Sequence, residues 1–376
     1  MKIPFEFGEV VSKGHFVNRD EERKRLKQNI EGGLSTLLIS PRRWGKSSLV
    51  KQVSLELDSK ITRFCFIDLF HIKDELEFYQ ALAKEVIKQS SSKWEEWMKS
   101  TAKFFKSIRP KISMGVDPMN DFEISFESSE AEKSYREVLD LAEHIAKEKK
   151  IRIVICVDEF QNLSRFGDPL LFQQRLRASW QHHKHVSYCL YGSKKHMMID
   201  IFQNKSMPFY KFGDVLFLNK INTKHWVKYI QQQFKKTKKS ISKKLAEVIV
   251  STVENHSYYV QQLSLLTWNR TEKIASEEIL EAAINDLLNQ NAILFHREVE
   301  QLTNSQIGFL EALAQDEERL HSSQNIVKYK LGSSSNVSRI KEALENKEII
   351  DSFAEKIGFL DPIFKLWFNK RYIVKK

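Results

Sequence analysis

Cysteine is scarce in this chain, with only Cys65, Cys156 and Cys189 among 376 residues. They lack the spacing of metal ligands, and each falls inside an apolar run that reads as a core strand, where a thiol behaves as a small buried hydrophobe. A disulfide framework is therefore not expected. Long apolar runs are missing too. None approaches the ~20 residues needed to span a bilayer, and the start, Met1-Lys2-Ile3-Pro4-Phe5-Glu6, lacks the apolar core of a signal peptide. No membrane partner and a cytoplasmic location are the expectation. His182, His183 and His185 cluster without a carboxylate or cysteine in register, which favours a polar helix end over a metal site.

With 41% hydrophobic and 29% charged residues, the chain can bury two or three domains and is not disordered. Net charge is +11, which assists any encounter with nucleic acid, but the cations are spread along the sequence. The densest run, Lys235-Lys236-Thr237-Lys238-Lys239 followed by Lys243-Lys244, sits at a helix-to-helix junction and reads either as a solvated loop or as a contact to phosphates.

The segment Leu37 to Leu49 reads as a short apolar strand, Thr36 to Ser40, running into Gly45-Lys46-Ser47, the phosphate-gripping half of a P-loop. A tight turn after a strand points successive backbone N–H groups at phosphates, at the positive end of the next helix. The segment Ser40-Pro41-Arg42-Arg43-Trp44-Gly45-Lys46-Ser47-Ser48 is thus the expected nucleoside triphosphate cradle. Lys46 supplies a point charge, Ser47 a hydroxyl for Mg²⁺, and Gly45 a backbone open to φ > 0. Ser40 stands where the motif usually has its first glycine.

Ile151 to Glu159 is a continuous apolar run ending in two carboxylates, which suits a central parallel strand buried on both faces. Charge left at such a strand end is costly unless a cation and a reacting water use it. In the P-loop scheme Asp158 joins Ser47 in holding Mg²⁺ and Glu159 acts as the base toward water. A third strand, Val186 to Ser193, ends where a γ-phosphate sensor would sit, so Ser193 reads as that sensor or as a turn serine.

The Pro41 to Leu49 loop, the segment Phe16-Val17-Asn18-Arg19-Asp20-Glu21-Glu22, the strand end Val157-Asp158-Glu159-Phe160-Gln161 and Tyr191-Gly192-Ser193 together resemble the prokaryotic AAA+-like ATPases. They are most similar to the archaeal and bacterial signal-transduction (STAND-type) branch with a C-terminal winged helix. That resemblance implies ATP with Mg²⁺, a slow ATPase awaiting a partner, and a first segment lying near the adenine. Asn18 and Glu21 also have the spacing of a capping box. The family's Gly-x-Pro turn in the lid is replaced by Asn255-His256-Ser257-Tyr258-Tyr259, and its Tyr-x-Arg by Phe209-Tyr210-Lys211. Arg175 and Arg177 are candidates for an arginine finger by position, with a packed or solvated helix face as the plainer reading.

The expected architecture is an α/β P-loop core with a parallel sheet and helices on both faces, residues 1–221, interrupted by an insertion at about 90–131. The insertion reads as an aromatic helix (Trp94, Trp97, Phe104, Phe105) and a hairpin, Lys111 to Val116 with Asp121 to Phe126. A helical lid follows over 222–301 and a winged helix over 302–376, whose third helix presents Asn336, Arg339 and Lys341 as groove contacts. Asp351 and Glu355 near the wing oppose strong DNA binding. The expected function is an ATP-driven switch in which Glu159-assisted hydrolysis, reported by Ser193, resets lid and winged helix; the alternatives are a DNA-binding regulator gated by ATP and a non-catalytic scaffold with residual nucleotide binding in a defence or toxin-like assembly. A protein partner is unidentified, and the chain is expected to be a monomer or a nucleotide-dependent homo-oligomer.

Overall fold

The computed structural model describes residues 3–8, 16–57, 60–90, 105, 110–114, 122–352 and 356–374. The chain divides into two compact units, one of residues 19–219 and the other of residues 1–18 with 220–376.

The first unit runs α1 (Asp20–Gly32), β1 (Thr36–Ile39), α2 (Lys46–Glu56), β2 (Thr62–Asp68), α3 (Glu75–Ser90), β3 (Lys111–Met114), β4 (Phe122–Ser125), α4 (Ser128–Leu139), α5 (Leu141–Lys149), β5 (Arg152–Asp158), α6 (Pro169–Trp180), β6 (Val186–Gly192), α7 (Lys195–Gln203) and β7 (Asp214–Phe217). Five strands form a parallel sheet in the order β2-β5-β6-β1-β7, with flanking helices. Strands enclosed this way are apolar throughout instead of alternating, and β1 and β6 are buried at every position. The three cysteines lie buried and unoxidised in β2, β5 and β6. Beneath the sheet, Trp180 stacks on Tyr188 at 4.1 Å, and Phe209 meets Phe160, Phe202 and Phe212 at 5.0 to 6.0 Å.

The expected hairpin is present as β3 paired antiparallel with β4, and Phe105 packs on Phe126 at 5.8 Å. Trp94, Trp97, Phe104, Val116 and Asp121 lie outside the described residues. One expectation fails at α1. Its N-cap is Arg19, at φ 75°, with no capping side chain, so the spacing of Asn18 and Glu21 makes no capping box. Asn18 is left-handed as well, at φ 52°, and the acids Asp20, Glu21 and Glu22 face the helix's positive end instead.

The second unit holds α8 (Thr223–Lys236), α9 (Lys243–Thr252), α10 (Ser257–Arg270), α11 (Glu277–Glu300), α12 (Asn304–Ala314), α13 (Ser323–Lys328), α14 (Ser334–Asn346), the short pair β8 (Ile350–Asp351) and β9 (Gly358–Phe359), and α15 (Pro362–Phe368). Side chains of Asn222, Ser242, Ser276, Thr303, Ser322, Ser333 and Asp361 cap every helix here but α10. Before α10, where glycine was missing, Glu254 and Asn255 take φ 48° and 60°. The Asn255 amide fixes that turn by donating to Ile221 O and Thr223 Oγ1 at 2.9 and 3.0 Å. The tail is anchored on α11: Phe364 and Trp367 lie 5.3 and 5.7 Å from Phe295.

Phe209 is fully buried among four aromatic rings. Phe209→Ala should cost about 3–5 kcal/mol, read as a lowered urea midpoint; a loss below about 1 kcal/mol would mean that this cluster is not the packing centre of the unit.

Candidate functional site

β1 delivers the chain into a loop whose backbone turns left-handed at Arg43 (φ 62°) and again at Gly45 (φ 93°), after which α2 opens at Lys46. A Cβ on Gly45 would meet no atom within 4 Å, so conformation and not crowding requires glycine there. Ser40 is buried at the loop's start, and the buried Lys46 reaches back to donate to Ser40 O at 2.8 Å and Pro41 O at 2.9 Å. The amino end of α2, with the positive end of its dipole, makes this loop positive.

β6 lies between β1 and β5 in the sheet, yet Ser47 Oγ donates to Asp158 Oδ2 at 2.7 Å across its carboxyl end. Asp158 also accepts from the backbone N–H of Glu159 at 2.8 Å. Burial pushes its carboxyl up to about 6; the Ser47 hydrogen bond opposes this, the Glu159 charge adds to it, and Lys46 offsets part. Glu159 itself is left-handed at φ 51°, an uncommon state for a non-glycine residue and one that clusters at functional sites. Its Oε2 accepts from Ser193 Oγ at 2.7 Å and from the Gln161 amide. Arg42 Nε lies 3.4 Å from Ser193 Oγ, so the P-loop, the end of β6 and the second carboxylate form one polar chain.

The structure therefore brings the predicted set together: Ser40, Pro41, Arg42, Arg43, Trp44, Gly45, Lys46, Ser47 and Ser48 run continuously from β1 into α2, and they meet Asp158 and Glu159 at the end of β5 and Ser193 at the end of β6. Ser47 and Asp158 present adjacent hard oxygens, the donor type a magnesium ion takes while keeping waters.

Two contributors carry no role in the sequence reading. Gln161, buried at 1% exposure, holds Glu159, and Gly192 leaves it room: a Cβ at Gly192 would fall 2.0 Å from Gln161 Oε1. Arg19, also buried, donates from Nη2 to Trp44 O at 3.1 Å and from Nη1 to Glu22 and to Asn219 O, tying the loop to α1. Burial lowers its pKa from the ordinary value. The only sequence signal for either is a polar residue inside a motif of otherwise assigned positions.

Arg175 pairs with Glu75 at 2.7 Å and lies over Tyr135, and Arg177 lies over the Phe212 ring, so both are packed side chains. The histidine cluster does have carboxylates in space: His183 meets Asp140 at 3.0 Å and Tyr188 Oη at 2.6 Å, and His185 meets Glu143 at 2.7 Å. Among the described residues no three His, Cys, Asp or Glu side chains form a metal site. On α14, Ser333 is the cap, Arg339 is exposed and Lys341 half-buried, but the Asn336 amide is spent on Leu331 O at 2.7 Å. Glu355 lies outside the described residues.

Comparison with known families matches residues 16–263 to one described as "ATPase domain predominantly from Archaea" and residues 293–370 to one described as "probable winged helix domain". No curated protein matches the chain. Among solved structures, a Walker-type ATPase of Pyrococcus abyssi is similar over 97% of this chain and 99% of its own, at 18% identity and a TM-score of 0.69. The ORC2 protein of Aeropyrum pernix, in its ADPNP–ADP complexes, is similar over 97% and 98%, at 12% identity and a TM-score of 0.55. These two likenesses establish a shared fold.

Because the folded state holds the Asp158 proton more tightly than the unfolded chain does, stability falls as pH rises from the ordinary carboxyl value through about 6. Without nucleotide or metal, Asp158→Asn should raise Tm at pH 8, by at most about 3 kcal/mol in stability, and the gain should shrink toward pH 4. A gain independent of pH would contradict the buried carboxylate as its source.

Proposed function

Since the chain belongs to the family of ATPase domains found predominantly in Archaea, with a winged helix domain toward its C-terminus, we propose that it binds and hydrolyses ATP as a conformational switch of the signal-transduction kind. The observation that carries this reading is the double convergence at the carboxyl ends of β5 and β6, Ser47 on Asp158 and Ser193 on Glu159, each at 2.7 Å. The backbone N–H groups from Trp44 to Ser47 and the Lys46 ammonium receive the β- and γ-phosphates. Ser47 and Asp158 would hold Mg²⁺, which would neutralise phosphate charge. Glu159 accepts the proton of the attacking water, and its carboxylate is positioned by Ser193 and Gln161. Ser193, also near Arg42, couples γ-phosphate occupancy to the placement of that carboxylate.

In this reading the helical lid, 222–301, and the winged helix, 302–376, respond to turnover, in the cytoplasm and as a monomer or nucleotide-dependent oligomer. Exposed Arg339 on α14 supports DNA as one partner for the winged helix; a protein trigger is the other. Either accounts for slow basal turnover.

ATP binding and steady-state hydrolysis, with and without duplex DNA, test the proposal. Lys46→Ala should abolish binding, whereas Glu159→Gln should keep it and cut turnover at least ~100-fold. Wild-type turnover by Glu159→Gln would remove the carboxylate from the mechanism, and no ATP binding by the native chain would end the proposal. Ser193→Ala should lower turnover by a smaller factor, about tenfold, with nucleotide affinity retained, because its hydroxyl positions Glu159 and does not react.

A further inference from the structure

Between α8 and α9 lies a cleft of about 730 Å³ lined by Asn222, Thr223, Lys224, Val227, Lys228, Gln231, Gln232, Lys235, Lys243 and Glu247. Its floor is one face of α8. Positions 224, 228, 231, 232 and 235 recur at helical spacing, so three lysines and two glutamines form a single polar stripe. Helix α8 contains no acidic residue. Lys224, Lys228 and Lys235 are exposed and make no ion pair among the described residues. The cleft's one carboxylate, Glu247, lies 3.7 Å from Lys243. Asn222 caps α8, so the positive end of its dipole opens at the same cleft.

We propose that this cleft holds the sugar-phosphate backbone of duplex DNA. The stripe extends about 16 Å from Lys224 to Lys235, too long for one phosphate group and suited to an extended polyanion. The lining contains no aromatic ring on which unpaired bases could stack, which sets it apart from single-strand grooves. Val227 is its only aliphatic side chain, too little apolar surface to seat an amphipathic helix. Glutamine amides between the lysines add neutral donors for phosphate and sugar oxygens. None of the lining residues belongs to α14 or to the P-loop, and the inference does not require hydrolysis.

The test is fluorescence anisotropy with a labelled 20-base-pair duplex, without nucleotide, across a salt series. The triple variant Lys224→Gln, Lys228→Gln, Lys235→Gln should bind at least tenfold more weakly, with the slope of log Kd against log salt reduced by about 2 to 3. Triple replacement of the same lysines by arginine should restore both, and ATP binding should be unchanged in all. Thermal melting superimposable on wild type confirms that the exposed substitutions leave folding intact. Unaltered duplex binding by the glutamine variant overturns the proposal, including the case in which Arg339→Gln alone removes binding. So does tighter binding of single-stranded DNA than duplex, or displacement of the duplex by polyglutamate at equal charge concentration, which would mark an acidic-protein surface.

Discussion

The contact from Ser47 to Asp158 is what the candidate site is built around. The sheet order inserts β6 between the strand that feeds the P-loop and the strand that ends in the carboxylates. The two motifs can meet only by side chains passing over the carboxyl end of β6, and the residues at that end are small: Gly192 and Ser193. A larger side chain at Gly192 would occupy the space of the Gln161 amide. With the bridge made, Asp158 is half-buried, and that burial raises its pKa to about 6. Lys46 is near enough to compensate part of that cost while it fastens Ser40 and Pro41.

Three left-handed backbones, at Arg43, Gly45 and Glu159, sit around that bridge. For non-glycine residues such states cost of order 1 to 3 kcal/mol each, and they persist only where their surroundings fix them. The fixing is visible: β1 and β6 are buried throughout, Arg19 clasps Trp44 from α1, and Glu159 is held by Ser193 and Gln161. Rigidity in the sheet thereby gathers one lysine, two hydroxyls and two carboxylates at the carboxyl ends of β1, β5 and β6, the kind of preorganisation that phosphate chemistry uses.

Parallel strands buried on both faces announce themselves as apolar runs, which is why the three strands that carry the site were legible, with Ile151 to Glu159 and Val186 to Ser193 ending within a residue of β5 and β6. The helices of the second unit carry a local signal of another kind, since serine, threonine and aspartate caps stand at their starts. What could not be read depends on contacts between distant segments. Asn18 and Glu21 have the right spacing for a cap, yet Arg19 turns left-handed and its side chain goes to Trp44, 25 residues on. The histidines looked isolated because their carboxylates, Asp140 and Glu143, lie some 40 residues earlier. Asn255 does in the turn before α10 what glycine commonly does, and only its bonds to Ile221 and Thr223 reveal that.

The lysine-rich junction shows the same limit from the other side. By sequence density the basic centre is residues 235–244, but folding disperses that run: Lys239 lies over Trp268, Lys244 pairs with Glu277, and Lys243 with Glu247. The cations left facing a cleft include Lys224 and Lys228, which no linear cluster singles out. The molecule therefore holds positive charge in two physically different forms. At the P-loop one buried lysine acts with backbone dipoles in a medium that salt screens poorly, so binding there is governed by geometry. On α8 the lysines are exposed on flexible stems and act with neighbouring counterions, so binding there is governed by ionic strength. A ligand that is small, doubly anchored and chemically reactive suits the first environment; one that is long, uniform in charge and exchanged as salt and occupancy change suits the second.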